Sequence, residues 1–489
     1  MSTDKISAGY FRQKFPENPD VVFNEVVIKN SSLRVTVASI DGMVSSQLID
    51  DYVLKPLFQE AALGKAKDAR ELVSLMMLGP VYHCQRKVCN TVKDAMGELL
   101  QGNAIVIVDE AEAAVSFDVK GFASRGISES STEGVLKGSK EAFIEVMRTN
   151  TALVRRRLQT DTLKINTTRV GTRSQTAVSV VYLDAVANPE TVAAIKTRLE
   201  AIDIDGIVSA GQMEAFLLGR RNSVFPQLIY TERVDKFCAN ILEGRVGLIV
   251  DGLPIAYIMP VDLVAFFQAP EDYAHGHILS SLLRILRFSC AFIALVLPAI
   301  YVAMVMFHQD MLPTQLAVSI ISNTVAIPLP SYLEVLLLIL AFEILLEAGL
   351  RLPQPIGQSV SIVGGLVVGQ AAIFAGILSP GVIMVVATAG IAGFVLPSQD
   401  LSITIRLFRI ALVILSIIGG LYAVTLGLIA ILFRCCALDA FGVPYLAPFA
   451  GGGGKRMFND TVVRAAWNKS STRPADIGPI DSAKQGRQT

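Results

Sequence analysis

Tyr332–Leu350, YLEVLLLILAFEILLEAGL, is apolar enough to enter a bilayer, yet it carries Glu334, Glu343 and Glu347. A carboxylate facing lipid is costly, so such groups face protein, a polar cavity or the membrane surface. Glu343 and Glu347 are four residues apart and share a helix face, while Glu334 falls roughly opposite Glu343. Two readings stand. In one, these acids line a pore or ion pathway. In the other, the segment is an interfacial or re-entrant helix whose acids sit in water or pair with Arg351.

Catalytic signatures do not accompany these acids. The sequence holds no Gly-x-Ser-x-Gly and no His-Glu-x-x-His. Gly451–Gly454 followed by Lys455 resembles a phosphate loop only in part, because Arg456 stands where Ser or Thr would hold Mg²⁺. A flexible glycine linker is the better reading. The histidines (His83, His275, His277, His308) show no metal spacing beyond His275 with His277. The six cysteines form no Cys-x-x-Cys pair and read as reduced, buried thiols. The expectation is a protein that is not an enzyme and uses no metal or other cofactor.

The acids need apolar elements to position them. Mean hydropathy is +0.51 over 489 residues, with 52% hydrophobic residues. That average is a mosaic. Between Ser289 and Phe433 the only basic residues are Arg351, Arg406 and Arg409. Net formal charge is zero, so no basic surface calls for nucleic acid. The predicted all-α membrane domain covers 276–434, with hydrophobic segments at 289–307, 332–350, 359–378, 381–396 and 410–433. Arg284 and Arg287 precede the first, which puts its N-terminal side in the cytoplasm. Gly365-x-x-x-Gly369 and Ala389-x-x-x-Gly393 read as helix-packing contacts. The crossing number stays open. Five crossings place the basic tail outside, against the charge rule, and four strand an arginine.

The first half is polar enough to be soluble, begins without an apolar leader segment, and contains a repeat. LLQGNAIVIVDEAEAAVSFDV (99–119) aligns without gaps on ILEGRVGLIVDGLPIAYIMPV (241–261), placing Gly102 on Gly244 and Asp109 on Asp251. Each copy reads as a helix end, a glycine cap, a buried strand, an Asp-containing turn and a second strand. The predicted fold is two similar cytoplasmic α/β subdomains, 20–122 and 155–268, followed by the multi-pass membrane domain. An amphipathic helix in 123–158 links the subdomains, and 435–489 is a polar tail. The linking helix ends in Arg155, Arg156 and Arg157. These are either a solvated basic helix end, favoured by the helix dipole, or a contact surface for a subunit or anionic lipid.

Several runs resemble one known family in the same order. They are FPQLIYTERVDKFCANILEGRVGLIVDGLPIAYIMPV (225–261), PEDY (270–273), FHQDMLPT (307–314), EAGLRLPQPIGQSVSIVGGLVVGQAA (347–372), LPSQDLSITIRLFR (396–409), FGVPYLAPF (441–449) and DTVVRAAW (460–467). Together they resemble spore germination receptor A subunits of the GerA type, with the SpoVAF-type paralogue as second choice. The resemblance implies a spore inner-membrane protein that oligomerises and helps pass ions when nutrient triggers germination. It implies two partners, a transporter-like B subunit and a lipoprotein C subunit. Three positions depart from the family pattern: Ile339, Leu346 and Phe374 are apolar where relatives carry charge.

Overall fold

The computed structural model describes residues 5–29, 31, 33–78, 85–121, 133, 138–219, 223–325, 327–351, 370–449, 460–466 and 472–484. The chain divides into two compact units. Met1–Arg221, Leu228–Pro260 and Ser471–Thr489 form the first, and Asn222–Gln227 with Val261–Ser470 form the second.

The first unit is mixed α/β. Its helices include α1 (Ala8–Lys14), α2 (Ala69–Leu78), α3 (Val92–Leu100), α4 (Met147–Arg157), α5 (Pro189–Glu200) and α6 (Val234–Leu242). Its strands are β1 (Val21–Val27), β2 (Arg34–Ile40), β3 (Arg86–Cys89), β4 (Ala104–Val108), β5 (Ala113–Phe117), β6 (Leu163–Val170), β7 (Thr176–Leu183), β8 (Ile229–Thr231), β9 (Val246–Val250) and β10 (Ala256–Met259). They make two antiparallel five-stranded sheets of the same order, β1-β2-β4-β5-β3 and β6-β7-β9-β10-β8. The centre of each sheet is a fully buried, Val/Ile-rich strand, β4 or β9, which suits a sheet covered on both faces. Gly102 (φ +87°) and Gly244 (φ +99°) turn the chain from helix into that strand.

The aligned aspartates have a matching role. Asp109 accepts a hydrogen bond from the Ala8 N–H at 2.7 Å, and Asp251 from the Met147 N–H at 3.0 Å. Each therefore satisfies the first free N–H of the helix that leads its copy. By this relation α4 is the opening helix of the second repeat, as α1 is of the first. It is more than a connector.

The second unit contains the apolar helices α7 (His277–Met306), α8 (Ser331–Arg351), α9 (Pro380–Phe394) and α10 (Gln399–Cys436). Among the described residues, only α7 and α10 are long and apolar enough to cross a membrane. The expected five segments therefore reduce to two by that measure. Helix α8 carries three acids, α9 has 15 residues, and most of 359–378 lies outside the described residues.

The segment expected at 410–433 is not one continuous span. Helix α10 breaks at Gly419 and Gly420, where Gly420 has φ +57° and ψ −144°. Only glycine enters that region readily. A Cβ at Gly427 would lie 2.7 Å from the side chains of Leu412 and Leu415. Residues 421–436 thus fold back on 399–418 as an antiparallel pair. The turn packs against the end of α7, since a Cβ at Gly420 would meet His308 Cε1 at 2.8 Å. The open end lies elsewhere: Phe408 stacks on Phe225 at 5.0 Å, and Tyr445 is 6.0 Å from the same ring. Val296, Val335, Val382, Leu412 and Val424 meet in one core, one residue from each of the five helical arms.

Candidate functional site

The three acids of α8 have three different environments. Glu343 bridges two arginines on the facing arm of α10. Its Oε2 accepts from Arg406 Nη1 at 2.8 Å and its Oε1 from Arg409 Nη2 at 2.9 Å. Arg406 and Arg409 are three residues apart and so share a helix face. Arg409 is 1% exposed. This is charge-assisted hydrogen bonding between helices, in a setting where an unpaired charge would be costly. The sequence offered Arg351 as the partner of these acids; for Glu343 the partners come from α10, more than sixty residues on.

Glu334 is fully buried, and its Oε2 accepts from the Ser379 N–H at 2.6 Å. Ser379 is the residue before α9, so the carboxylate sits at a helix N-terminus, where negative charge is favoured. Glu347 is exposed.

Gly365 and Gly369 lie outside the described residues. Ala389 is buried in α9. Gly393 lines a small space, about the size of one water and partly open to the surroundings, between α7, α8, α9 and α10. A Cβ on Gly393 would meet only Ala294 and Ser402, both at 4.0 Å, so this glycine leaves room. Close packing occurs three residues earlier. A Cβ on Gly390 would lie 2.9 Å from the Phe342 ring.

The arginines of α4 are engaged within the first unit. Arg155 is buried and pairs with Asp20 through Nε at 2.6 Å and Nη2 at 3.0 Å. It has no surface to offer a subunit or a lipid. Arg156 and Arg157 both pair with Glu141. Neighbouring residues extend the junction between the two sheets: Asn18 Oδ1 accepts from the Ile165 N–H at 2.9 Å, and Glu17 accepts from Tyr182 and Lys196, each at 3.1 Å. The Lys196 hydrogen bond, opposed by partial burial, holds the Glu17 carboxyl below its ordinary range.

A further charge cluster opens the second unit. Asp272 is fully buried and accepts from Arg284 Nε at 3.0 Å and from Arg287 Nη1 at 2.7 and 2.8 Å. Arg284 Nη1 also reaches Asp460 Oδ1 at 2.9 Å. Arg464 Nη1 donates to the carbonyls of Asp272 and His275 at 2.7 and 2.6 Å. The Tyr273 ring lies 5.5 Å from the Arg284 guanidinium and 5.3 Å from that of Arg464. Sequence reasoning took Arg284 and Arg287 only as charges flanking a span. The signal it left unused is that PEDY contributes Asp272 and Tyr273, while DTVVRAAW contributes Asp460 and Arg464. Two of the ordered motifs meet in one cluster.

Among the described residues, no group of three or more His, Cys, Asp or Glu could hold a metal ion.

Comparison with known proteins identifies the family. The family profile described as Bacillus/Clostridium GerA spore germination protein matches residues 9–476. The chain is similar to the uncharacterized membrane protein YfkQ of Bacillus subtilis, at 37% identity over 93% of this chain and 87% of that protein. It is similar to spore germination protein KA of the same organism, at 35% identity over 97% of this chain and 87% of that protein. Among solved structures it is similar to the N-terminal domain of the A subunit of the Bacillus megaterium spore germinant receptor GerK3. That match has 28% identity and a TM-score of 0.42, covering 53% of this chain and 98% of that one. The profile spans nearly the whole chain, so this protein belongs to the GerA family of spore germination proteins.

Proposed function

We propose that the chain is the A subunit of a nutrient germinant receptor, sited in the spore inner membrane. In this reading α7 to α10 form a multi-pass domain and the α/β unit lies in the cytoplasm. The protein oligomerises, contributes to the ion flux that starts germination, and works with a transporter-like B subunit and a lipoprotein C subunit. It catalyses no reaction.

Family membership over residues 9–476 carries the germination role. The membrane role draws support from the outer faces of the helices. Phe292, Ile391, Ile418, Tyr422 and Phe433 are all more than half exposed on apolar helices, which lipid would cover. The paired arms of α10 count as two passes, so the long helix and α7 together supply three.

A second reading is a membrane scaffold that organises receptor subunits while another chain conducts. The saturation of Glu343 by two arginines favours it, because a paired carboxylate offers little to a passing cation. Planar-bilayer recording of the purified chain separates the two. Cation current that changes when Glu343 and Glu347 become Gln supports conduction; a silent, correctly folded oligomer supports the scaffold. Loss of nutrient-triggered germination on deletion of the chain is expected in both, and intact germination overturns the receptor role.

A further inference from the structure

The cluster on α10 carries more positive than negative charge. Arg406 and Arg409 contribute two positive charges and Glu343 one negative, which leaves a net charge of +1. Burial of uncompensated charge is unfavourable, and the cost falls when a counter-ion is held at hydrogen-bond distance. Among the described residues, neither Nε atom, of Arg406 or of Arg409, has a hydrogen-bond partner, and both are buried. A guanidinium presents five N–H donors, and the two used on Glu343 come from the Nη atoms, so these Nε–H donors are additional.

Space lies beside these groups. Arg406 and Arg409 line a small, partly open space, about the size of one water or one small ion, together with Ser402, Gly390, Gly393 and Phe342. Its remaining wall is apolar, and no carboxylate belongs to the lining. Gly393 keeps it open, because a Cβ there would stand between Ala294 and Ser402, both of them lining residues. Ser402 donates its hydroxyl to the Gly393 carbonyl at 3.1 Å, which holds this corner together.

We infer that the space bounded by Arg406, Arg409 and Gly393 is a binding site for a small monovalent anion of the halide class. A single negative charge neutralises the cluster, and two N–H donors with an apolar wall suit a weakly hydrated ion better than a phosphate with several oxygens to satisfy. The site is independent of whether the chain conducts cations. Its failure would leave the receptor and membrane readings in place.

The test uses the full-length chain, purified in detergent. Its thermal unfolding midpoint is measured in sodium bromide and in sodium gluconate at equal ionic strength. Bromide is expected to raise the midpoint saturably. Arg409→Gln removes a donor and a charge, and should weaken bromide affinity about ten-fold or more, the scale of one charged hydrogen bond. Should that variant fail to fold, Gly393→Ala decides the matter. It keeps every charge, meets its neighbours at ordinary contact distance, and fills part of the space, so its bromide response should fall while its midpoint in gluconate stays near that of the parent. Three results overturn the inference: a midpoint indifferent to bromide, which leaves only water in the space; an equal bromide response in the parent and Gly393→Ala; or an undiminished affinity in a folded Arg409→Gln chain.

Discussion

Burial separates charges that look alike in sequence. Asp272 has no exposed surface and holds Arg284 and Arg287. Glu343 and Arg406 each keep about a quarter of their side-chain surface, while Arg409 keeps 2%. Losing one member of a buried ion cluster leaves the others uncompensated, at a cost of about 3–5 kcal/mol. A partly solvated cluster loses less, because water screens the remaining charge. Asp272→Asn is therefore expected to destabilise the helical unit by about 3–5 kcal/mol and Glu343→Gln by about 1–2 kcal/mol. Denaturant unfolding of the detergent-purified variants checks the order, and equal losses would contradict the difference drawn from burial. Glu17 supplies a pH dependence in the α/β unit. Its carboxyl is held below the ordinary range by the Lys196 hydrogen bond against the opposing effect of partial burial, with the Tyr182 hydroxyl adding to the lowering. A depressed folded-state value means the stabilisation is full above the unfolded carboxylate value, about 4.3, and fades as pH falls through the folded one. Glu17→Gln should flatten the acid side of the stability–pH curve and leave its slope between pH 6 and 8 unchanged. A parallel curve with the same acid slope would remove Glu17 from that role.

At the scale of elements, the break in α10 is the feature with the largest consequence. Gly420 adopts φ +57° and ψ −144°, and a Cβ there would also meet Phe307 at 3.0 Å. Gly420→Ala should cost about 1–3 kcal/mol from backbone strain, with the contact added to it. Gly419 has φ −143°, which any residue adopts, although its Cβ would press on Ala423 at 3.0 Å. Gly419→Ala should therefore cost less, and thermal unfolding of the two variants gives the ranking. The hairpin shows why part of this fold was hard to read from sequence. Hydropathy across 410–433 is continuous, and a glycine pair in an apolar run is also a common helix contact. Nothing local distinguishes a chain reversal from a tolerated kink. The repeat was legible, because Gly102 and Gly244 are fixed by positive φ and Asp109 and Asp251 by capping. Glu343 stood out by its cost in an apolar helix. Its partners did not, since Arg406 and Arg409 read as charges flanking the next span. Long-range pairing of this kind depends on how helices pack, and periodicity within one helix carries no information about it.

At the scale of the whole chain, the hairpin bears on the question that charge counting left open. Within the helical unit, the start of α7 and the segment 460–464 are joined by the Asp272 cluster, and Leu263 donates its N–H to the Tyr445 carbonyl at 2.7 Å. The chain therefore enters and leaves this unit at one end. The turn at Gly420 and the residues after α7 lie together at the other. If the unit spans a bilayer, the number of passes is even, and both polar flanks share one face. The positive-inside rule then no longer conflicts with the basic tail, because the tail is on the same side as Arg284 and Arg287. The prediction is read by cysteine labelling in sealed vesicles with a membrane-impermeant maleimide, other cysteines being replaced by serine or alanine. Cys436 is exposed beside the open end of the hairpin, and Lys29→Cys reports on the α/β unit. Gln309→Cys reports on the opposite end, three residues beyond α7. Cys436 and Lys29→Cys should label from one side and Gln309→Cys from the other. Labelling of Cys436 and Gln309→Cys from the same side would mean that α10 crosses as one helix and that the reversal at Gly420 is wrong.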